Sequence, residues 1–197
     1  MRFVIALILL VLTGCDKETL AEGQAQPASV ENSGAPGKAD ILLESANGTR
    51  ATLSYKFAGQ KAPTAPFADG DGQDVTLADF EGKPLLLNIW ATWCAPCKAE
   101  MPTLDALAKL EKNRMAVIAV SQDLEGHVPV LAFFKETKVK NLEPYTDADN
   151  AILAAFDNAI ALPTTILYDS AGKEVWRIAG GVEWDDAEMA KLLRAAD

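Results

Sequence analysis

Trp93-Cys94-Ala95-Pro96-Cys97 is the stretch from which the rest of the chain is read. Two thiols three positions apart can close a disulfide where the backbone turns back, as it does at the first turn of a helix. Pro96 suits that place: its ring fixes φ near the helical value, and its missing N–H costs nothing where amides have no intrahelical partner. Cys94 then stands at the helix start, facing free amides and the positive end of the helix dipole. That environment favours thiolate, so Cys94 is expected to be the nucleophile and Cys97 the resolving thiol. The flanks agree. Pro84-Leu85-Leu86-Leu87-Asn88-Ile89-Trp90 is an apolar run short enough for a buried strand. From Lys98 to Lys112, Met101, Leu104, Leu107, Ala108 and Leu110 recur at mostly helical spacing. A C-x-x-C at a strand-to-helix junction inside an α/β pattern reads as a redox site. The Cys94–Cys97 disulfide would itself be the redox group, with no other cofactor.

Two blander readings stand beside this one. Half of a zinc site would need about two more Cys or His ligands, and the chain offers only Cys15 and His127. A purely structural bridge across two residues would constrain the unfolded chain little.

The chain has 197 residues, of which 49% are hydrophobic. A folded part of about 140 residues buries roughly two-thirds of its unfolded surface and needs no staples. A net charge of −10 argues against nucleic acid and against docking on anionic lipid by charge alone. Three cysteines is an odd count, so at least one is unpaired or modified.

Met1-Arg2 precedes ten apolar residues, Phe3 to Leu12. A spanning helix takes about 20, so this run fits the apolar part of a secretory signal instead. Leu12-Thr13-Gly14-Cys15 resembles a bacterial lipobox, which implies a signal over residues 1–15 and a lipidated Cys15 at the new N-terminus. The alternative is an ordinary signal with a chance cysteine. Several acyl chains would hold the protein on a membrane, and Asp16 resembles the signal that retains lipoproteins in the inner membrane, facing the periplasm. Residues 16–40 are rich in Ala, Gly, Gln, Ser, Glu and Pro and read as a flexible tether. Residues 41–61 form an N-terminal extension in which Asn47-Gly48 suggests a weak hairpin. Asp69-Gly70-Asp71-Gly72-Gln73-Asp74 fails as a calcium loop, because its sixth position is Asp74 and its twelfth Phe80; it reads as a hairpin turn. Further on, 115–120 reads as a buried strand parallel to 84–90, 128–137 and 150–156 as helices, 162–168 and 173–178 as a hairpin, and 187–195 as a last helix.

That order resembles the thioredoxin fold over residues 62–197: an α/β fold with a central mixed sheet flanked by helices, here with the N-terminal hairpin extension. Trp90-Ala91-Thr92-Trp93-Cys94-Ala95-Pro96-Cys97, Glu100-Met101-Pro102 and Leu162-Pro163-Thr164-Thr165 together are similar to the TlpA/ResA/CcmG group of membrane-anchored thiol-disulfide oxidoreductases, and Gly180-Gly181-Val182-Glu183-Trp184 looks closest to TlpA. The resemblance implies that Cys94 attacks and Cys97 resolves, with Trp93 an apolar collar beside them. It makes Pro163 a cis-proline facing the disulfide, against the alternative of a trans proline at a strand start. Leu162 would then offer its backbone to a substrate segment. Pro102 should kink the redox helix. Thioredoxin proper has a buried Asp where this chain has Asn88, which cannot titrate. Glu100, one helical turn after Cys97, is the substitute the pattern implies as proton acceptor; the alternative is an ordinary solvated residue. Lys98 is expected to point to solvent.

The group resemblance implies a membrane-tethered reductase of selected protein cysteines in an otherwise oxidising compartment. TlpA-like members act in cytochrome oxidase copper-site assembly, and ResA- and CcmG-like members on the haem-site thiols of apocytochrome c. A transmembrane thiol donor of the CcdA/DsbD type rereduces them. A different class, the SCO-type copper chaperones, shares the fold, but its cysteines are spaced C-x-x-x-C and it needs a His, for which only His127 is present.

Overall fold

The computed structural model describes residues 39–44, 48–157 and 160–196. The signal over 1–15, Cys15, the tether up to residue 38 and Asn47 of the hairpin turn lie outside the described residues.

The architecture grows from one strand. Leu85–Trp90 (β5) is buried at all six positions. Leu85, Leu87 and Ile89 face one apolar cluster, while Leu86 and Trp90 face another, so the sheet is covered on both sides. A strand apolar on both faces belongs at the centre. Accordingly β5 pairs in parallel with Ala116–Ser121 (β6) and antiparallel with Thr164–Tyr168 (β8). A parallel neighbour requires a crossover, and Ala95–Glu111 (α1) provides it. Beyond β8 lies Glu174–Ala179 (β9). Beyond β6 lies Pro144–Thr146 (β7), and then the short pair Phe67–Ala68 (β3) and Asp74–Val75 (β4). Helix α1 covers the Leu86/Trp90 face with Met101, Leu104 and Leu107, joined by Val130 and Phe134 of His127–Thr137 (α2) and by Met189 and Leu193 of Ala187–Leu193 (α4). Ile152 of Ala151–Ala155 (α3) packs on the other face. Trp90 stacks on Phe134, with ring centroids 5.9 Å apart and planes within 9°.

Helix α1 contains Pro102 within its span. Two elements differ from their sequence reading. β7 is three residues long and opens on a proline, too short for any periodicity to register. The other is the N-terminal extension, which is no weak appendage. Ile41–Glu44 (β1) pairs with Arg50–Ser54 (β2), and β2 pairs with β9 through Thr52↔Ala179, Leu53↔Ile178 and Ser54↔Arg177. Among the described residues the sheet thus has nine strands, in the order β1-β2-β9-β8-β5-β6-β7-β3-β4. An isolated hairpin is marginal in water, and this one is held because Ala51 and Leu53 are buried in the main core.

Gly180 makes that docking possible. Its φ is +107°, and a Cβ there would lie 2.7 Å from the Arg50 carbonyl oxygen and 3.0 Å from Ala51 Cα. Both are backbone atoms, so neither can swing aside. Gly180→Ala is therefore expected to cost roughly 2–4 kcal/mol, from backbone strain plus overpacking, read as a lower denaturation midpoint with an unchanged slope.

Candidate active site

The redox turn begins where β5 ends. Cys94 is the N-cap of α1 with extended backbone (φ −88°, ψ 107°), and Pro96 lies in the first turn. The Cys94 N–H donates to the Ala91 carbonyl at 3.1 Å, and the Lys98 N–H donates to the Cys94 carbonyl at 3.1 Å. Cys94 and Cys97 are joined as a disulfide with Cα atoms 5.3 Å apart. The Cys97 N–H donates to Cys94 Sγ at 3.3 Å, so the helix start faces that sulfur as the sequence requires. Cys94 keeps 6% exposure and Cys97 none. Only Cys94 can meet an incoming sulfur. Trp93 is 68% exposed beside it, an apolar ring standing at the rim, and Lys98 is exposed as expected.

Beneath the turn lies Glu100, only 3% exposed, so it is not a solvated helix residue. Its Oε1 accepts from Asn88 Nδ2 at 2.7 Å, and its Oε2 accepts from the Val182 N–H at 3.0 Å. The Trp184 indole N–H also faces the carboxylate, short of a full hydrogen bond. Burial pushes the Glu100 carboxyl up from the ordinary 4.5 to about 7; the Val182, Asn88 and Trp184 donors pull it part of the way back. A carboxyl poised near neutrality, one helical turn from Cys97, can either hold a proton or take one. Asn88, buried on the α1 side of β5, also donates to Thr165 Oγ1 at 2.9 Å, and its own Oδ1 has no partner among the described residues.

Pro163 is buried at the start of β8, and the Leu162–Pro163 bond is cis. The register Ile89↔Thr164 puts it beside the end of β5, where the redox turn starts. Its carbonyl accepts from the Gly180 N–H at 2.9 Å. Leu162 is half-buried, and its N–H and C=O have no partner among the described residues. Cys94, Cys97, Glu100, Trp93, Leu162 and Pro163 thus all belong to one end of the sheet. His127 does not join them as a ligand: its Nε2–H donates to the Asp69 carbonyl at 2.6 Å and its Nδ1 faces Thr146 Oγ1 at 3.5 Å. Among the described residues no group of three His, Cys, Asp or Glu could hold a metal ion.

Sequence reading missed two parts of this site. One is the Val182 amide, brought to Glu100 from 82 residues away. The other is Asp123, which is buried and accepts from the Thr92 N–H (2.9 Å), the Thr92 hydroxyl (2.6 Å) and the Ser121 hydroxyl (2.5 Å). It anchors the turn two residues before Cys94. The available signal was a pair of polar residues, Ser121 and Asp123, at the carboxyl end of a buried strand, where α/β sheets place their sites. Asp123→Ala would leave the buried Ser121 hydroxyl and the half-buried Thr92 N–H and hydroxyl without this acceptor. It is expected to cost roughly 2–4 kcal/mol in chemical denaturation.

The Redoxin family matches residues 57–193. The thiol-disulfide oxidoreductase ResA of Bacillus thuringiensis subsp. konkukian is 35% identical over 123 residues, 62% of this chain and 69% of that one. A Chlorobium tepidum protein assigned as a thiol:disulfide interchange protein, DsbE, superposes with a TM-score of 0.61 at 25% identity, over 71% of this chain and 98% of its own. The exposed lipoprotein thioredoxin Etrx1 of Streptococcus pneumoniae gives 0.55 at 27% identity, over 66% of this chain and 96% of its own.

Proposed function

The chain belongs to the Redoxin family and has the thioredoxin fold, and from this premise we propose that it is a thiol-disulfide oxidoreductase of the ResA/CcmG kind that reduces protein disulfides. The observation that carries the reading is the asymmetry of the cysteine pair: Cys94 at the helix start, with an amide on its sulfur and an open side, and Cys97 fully buried over Glu100.

The reduced protein attacks with the Cys94 thiolate. A client disulfide breaks, a Cys94–client disulfide forms, and the client's other sulfur leaves as thiolate and takes a proton. Cys97 loses its proton to the Glu100 carboxylate and attacks Cys94 Sγ. The client departs as dithiol with two electrons, and the Cys94–Cys97 disulfide remains, to be rereduced by an external dithiol. Leu162 supplies backbone groups on which an extended client segment pairs. Arrival and departure of the proton by way of Glu100 replaces the route that Asn88 cannot offer.

The lipobox-like Leu12-Thr13-Gly14-Cys15 supports a lipid-anchored protein, as does a solved relative described as an exposed lipoprotein, and Asp16 supports the inner membrane, facing the periplasm. Among the described residues no helix is long and apolar enough to cross a membrane. Acyl chains on Cys15 would provide the attachment. The proposed clients are cytochrome oxidase copper-site assembly factors, with apocytochrome c haem-site thiols the second reading. A CcdA/DsbD-type membrane protein would be the donor. The test is the reduction potential from equilibrium with glutathione, together with catalysed insulin reduction. A reductase should lie nearer about −270 mV than about −120 mV, and a value above about −150 mV would make the protein an oxidant instead.

A further inference from the structure

Glu100 and Cys97 are both shut away, one 3% exposed and the other not at all. On the mechanism above, a proton leaves this interior each time the Cys94–Cys97 disulfide forms, and one returns when an external dithiol reopens it. The hydrogen-bond partners of the carboxylate do not carry it. Asn88 Nδ2 and the Val182 N–H donate, the Trp184 indole N–H faces the carboxylate as a third donor, and none of the three accepts a proton near neutrality. Thr165, the onward partner of Asn88, is itself buried.

A cleft of about 70 Å³ adjoins Glu100. It is lined by the buried Glu100 and Gly181, the half-buried Thr49 and Glu183, and the exposed Pro96 and Ala99, so it leads from the carboxylate to the surface. Thr49 precedes the span matched by the Redoxin family, so this wall belongs to the N-terminal extension. Gly181 makes the room. A Cβ there would lie 3.7 Å from Glu100 Oε2, 3.5 Å from Pro96 Cβ and 3.3 Å from the Pro96 carbonyl oxygen. Gly181 is not among the glycines with positive φ, so what it supplies is space and not backbone freedom. A water takes about 10–15 Å³ and two to four polar partners. The cleft holds more than one, and its walls carry the Pro96 carbonyl and the side chains of Glu100, Thr49 and Glu183.

We propose that this cleft is the proton port of the site: water in it links Glu100 to solvent, and Gly181 is the positioning residue that keeps the space open. The inference rests on the reading of Glu100 as proton acceptor. On each exit the Glu100 O–H bond breaks, an O–H bond forms on the adjacent water, and the extra proton passes to bulk; nothing is oxidised or reduced. The same water hydrates the carboxylate and limits how far burial pushes it up. Around Glu100 stand Cys97 one helical turn away on α1, the neutral Asn88 on β5, and Val182, Glu183 and Trp184 after β9. Glu183 is the other carboxylate on the cleft among the described residues, and it stays unchanged in every comparison below.

Gly181→Ala and Ala99→Leu narrow the cleft from opposite walls, the second at an exposed helical position that leucine suits. In the oxidised protein, carbon NMR of the Glu100 side-chain carboxyl follows its titration without thiol chemistry. Both variants should move that midpoint up from about 7 by about one pH unit. Resolution, followed by stopped flow as decay of a Cys94–peptide disulfide, should slow about eightfold at about pH 6.5 and approach the native rate above about pH 9. Adduct formation on Cys97→Ser should be the same with and without Gly181→Ala. Native midpoints and native resolution rates in both variants would overturn the port. So would slowing that is equal at every pH or shared by adduct formation, since that reports damaged packing. If Glu100→Gln resolves at the native rate, Glu100 is not the acceptor and the port falls with it, while the reductase reading stands. Absence of any adduct would sink the reductase reading and the port together.

Discussion

Cys97→Ser is expected to turn the protein from a catalyst into a trap. On the proposed mechanism the bond between Cys94 and a client would be resolved from inside, because Cys97 is disulfide-bonded to Cys94 and fully buried. A serine hydroxyl at that position does not attack a disulfide, so the covalent adduct should persist until an outside thiol cleaves it. Cys94→Ser should give neither adduct nor turnover, since the remaining sulfur is fully buried. Both variants should lose catalysed insulin reduction down to the uncatalysed rate. Non-reducing electrophoresis and mass spectrometry of species bound to Cys97→Ser would show the adduct and name the client, which separates oxidase assembly factors from apocytochrome c. Adducts formed by Cys94→Ser through Cys97 would reverse the assignment of roles.

Glu100→Gln carries the second large effect, and it has two signs to check. The native carboxyl keeps its proton up to about pH 7, whereas the unfolded one releases it near the ordinary 4.5. Between those values the native state binds more protons, so stability is greatest at and below about pH 4.5, declines as pH rises, and levels off above about 7. At about 1.4 kcal/mol per pH unit, the decline amounts to roughly 3 kcal/mol. The Gln variant should lack that slope. The rate should move the other way. The carboxylate has to be ionised to accept the Cys97 proton, so resolution should speed up through pH 7 in the native protein. In Glu100→Gln it should fall by about a hundredfold above that pH and lose the inflection. Denaturation midpoints and stopped-flow rates between pH 4 and 9 provide both curves. A native rate profile with no inflection near 7, or a Gln variant with native rates, would remove Glu100 from the proton path.

The orphaned Asn88 Oδ1 fits this picture. When Glu100 is a carboxylate, the Asn88 amide donates to it. When Glu100 is protonated, an Asn88 amide turned over would offer Oδ1 to the acid proton at the expense of its bond to Thr165. On the proposed proton route, an amide in place of the buried Asp would move the titrating group from the sheet to the helix, with Asn88 and Glu100 in contact.

What the sequence determined by itself is what short-range order encodes. Cys94 and Cys97 on one turn, Pro96 inside it, a six-residue apolar run before it and a 3.6-residue rhythm after it specify a strand, a turn and a helix, because each depends on neighbours within a few positions. The order of the remaining strands and helices then leaves little choice of sheet. What only the tertiary structure decided is whatever hangs on approach from far along the chain. Glu100 is marked in the sequence only by the family resemblance; it becomes a carboxyl held near neutrality because the fold buries it, against the opposing pull of the Val182 and Asn88 donors. Asp123 is a polar residue after a strand until Thr92 arrives from 31 positions away. The hairpin at 41–54 reads as marginal on its own propensity, and it is built into the sheet because Gly180 lets two backbones touch. Burial and contact belong to the assembled chain, and they convert residue types into acids, anchors and walls.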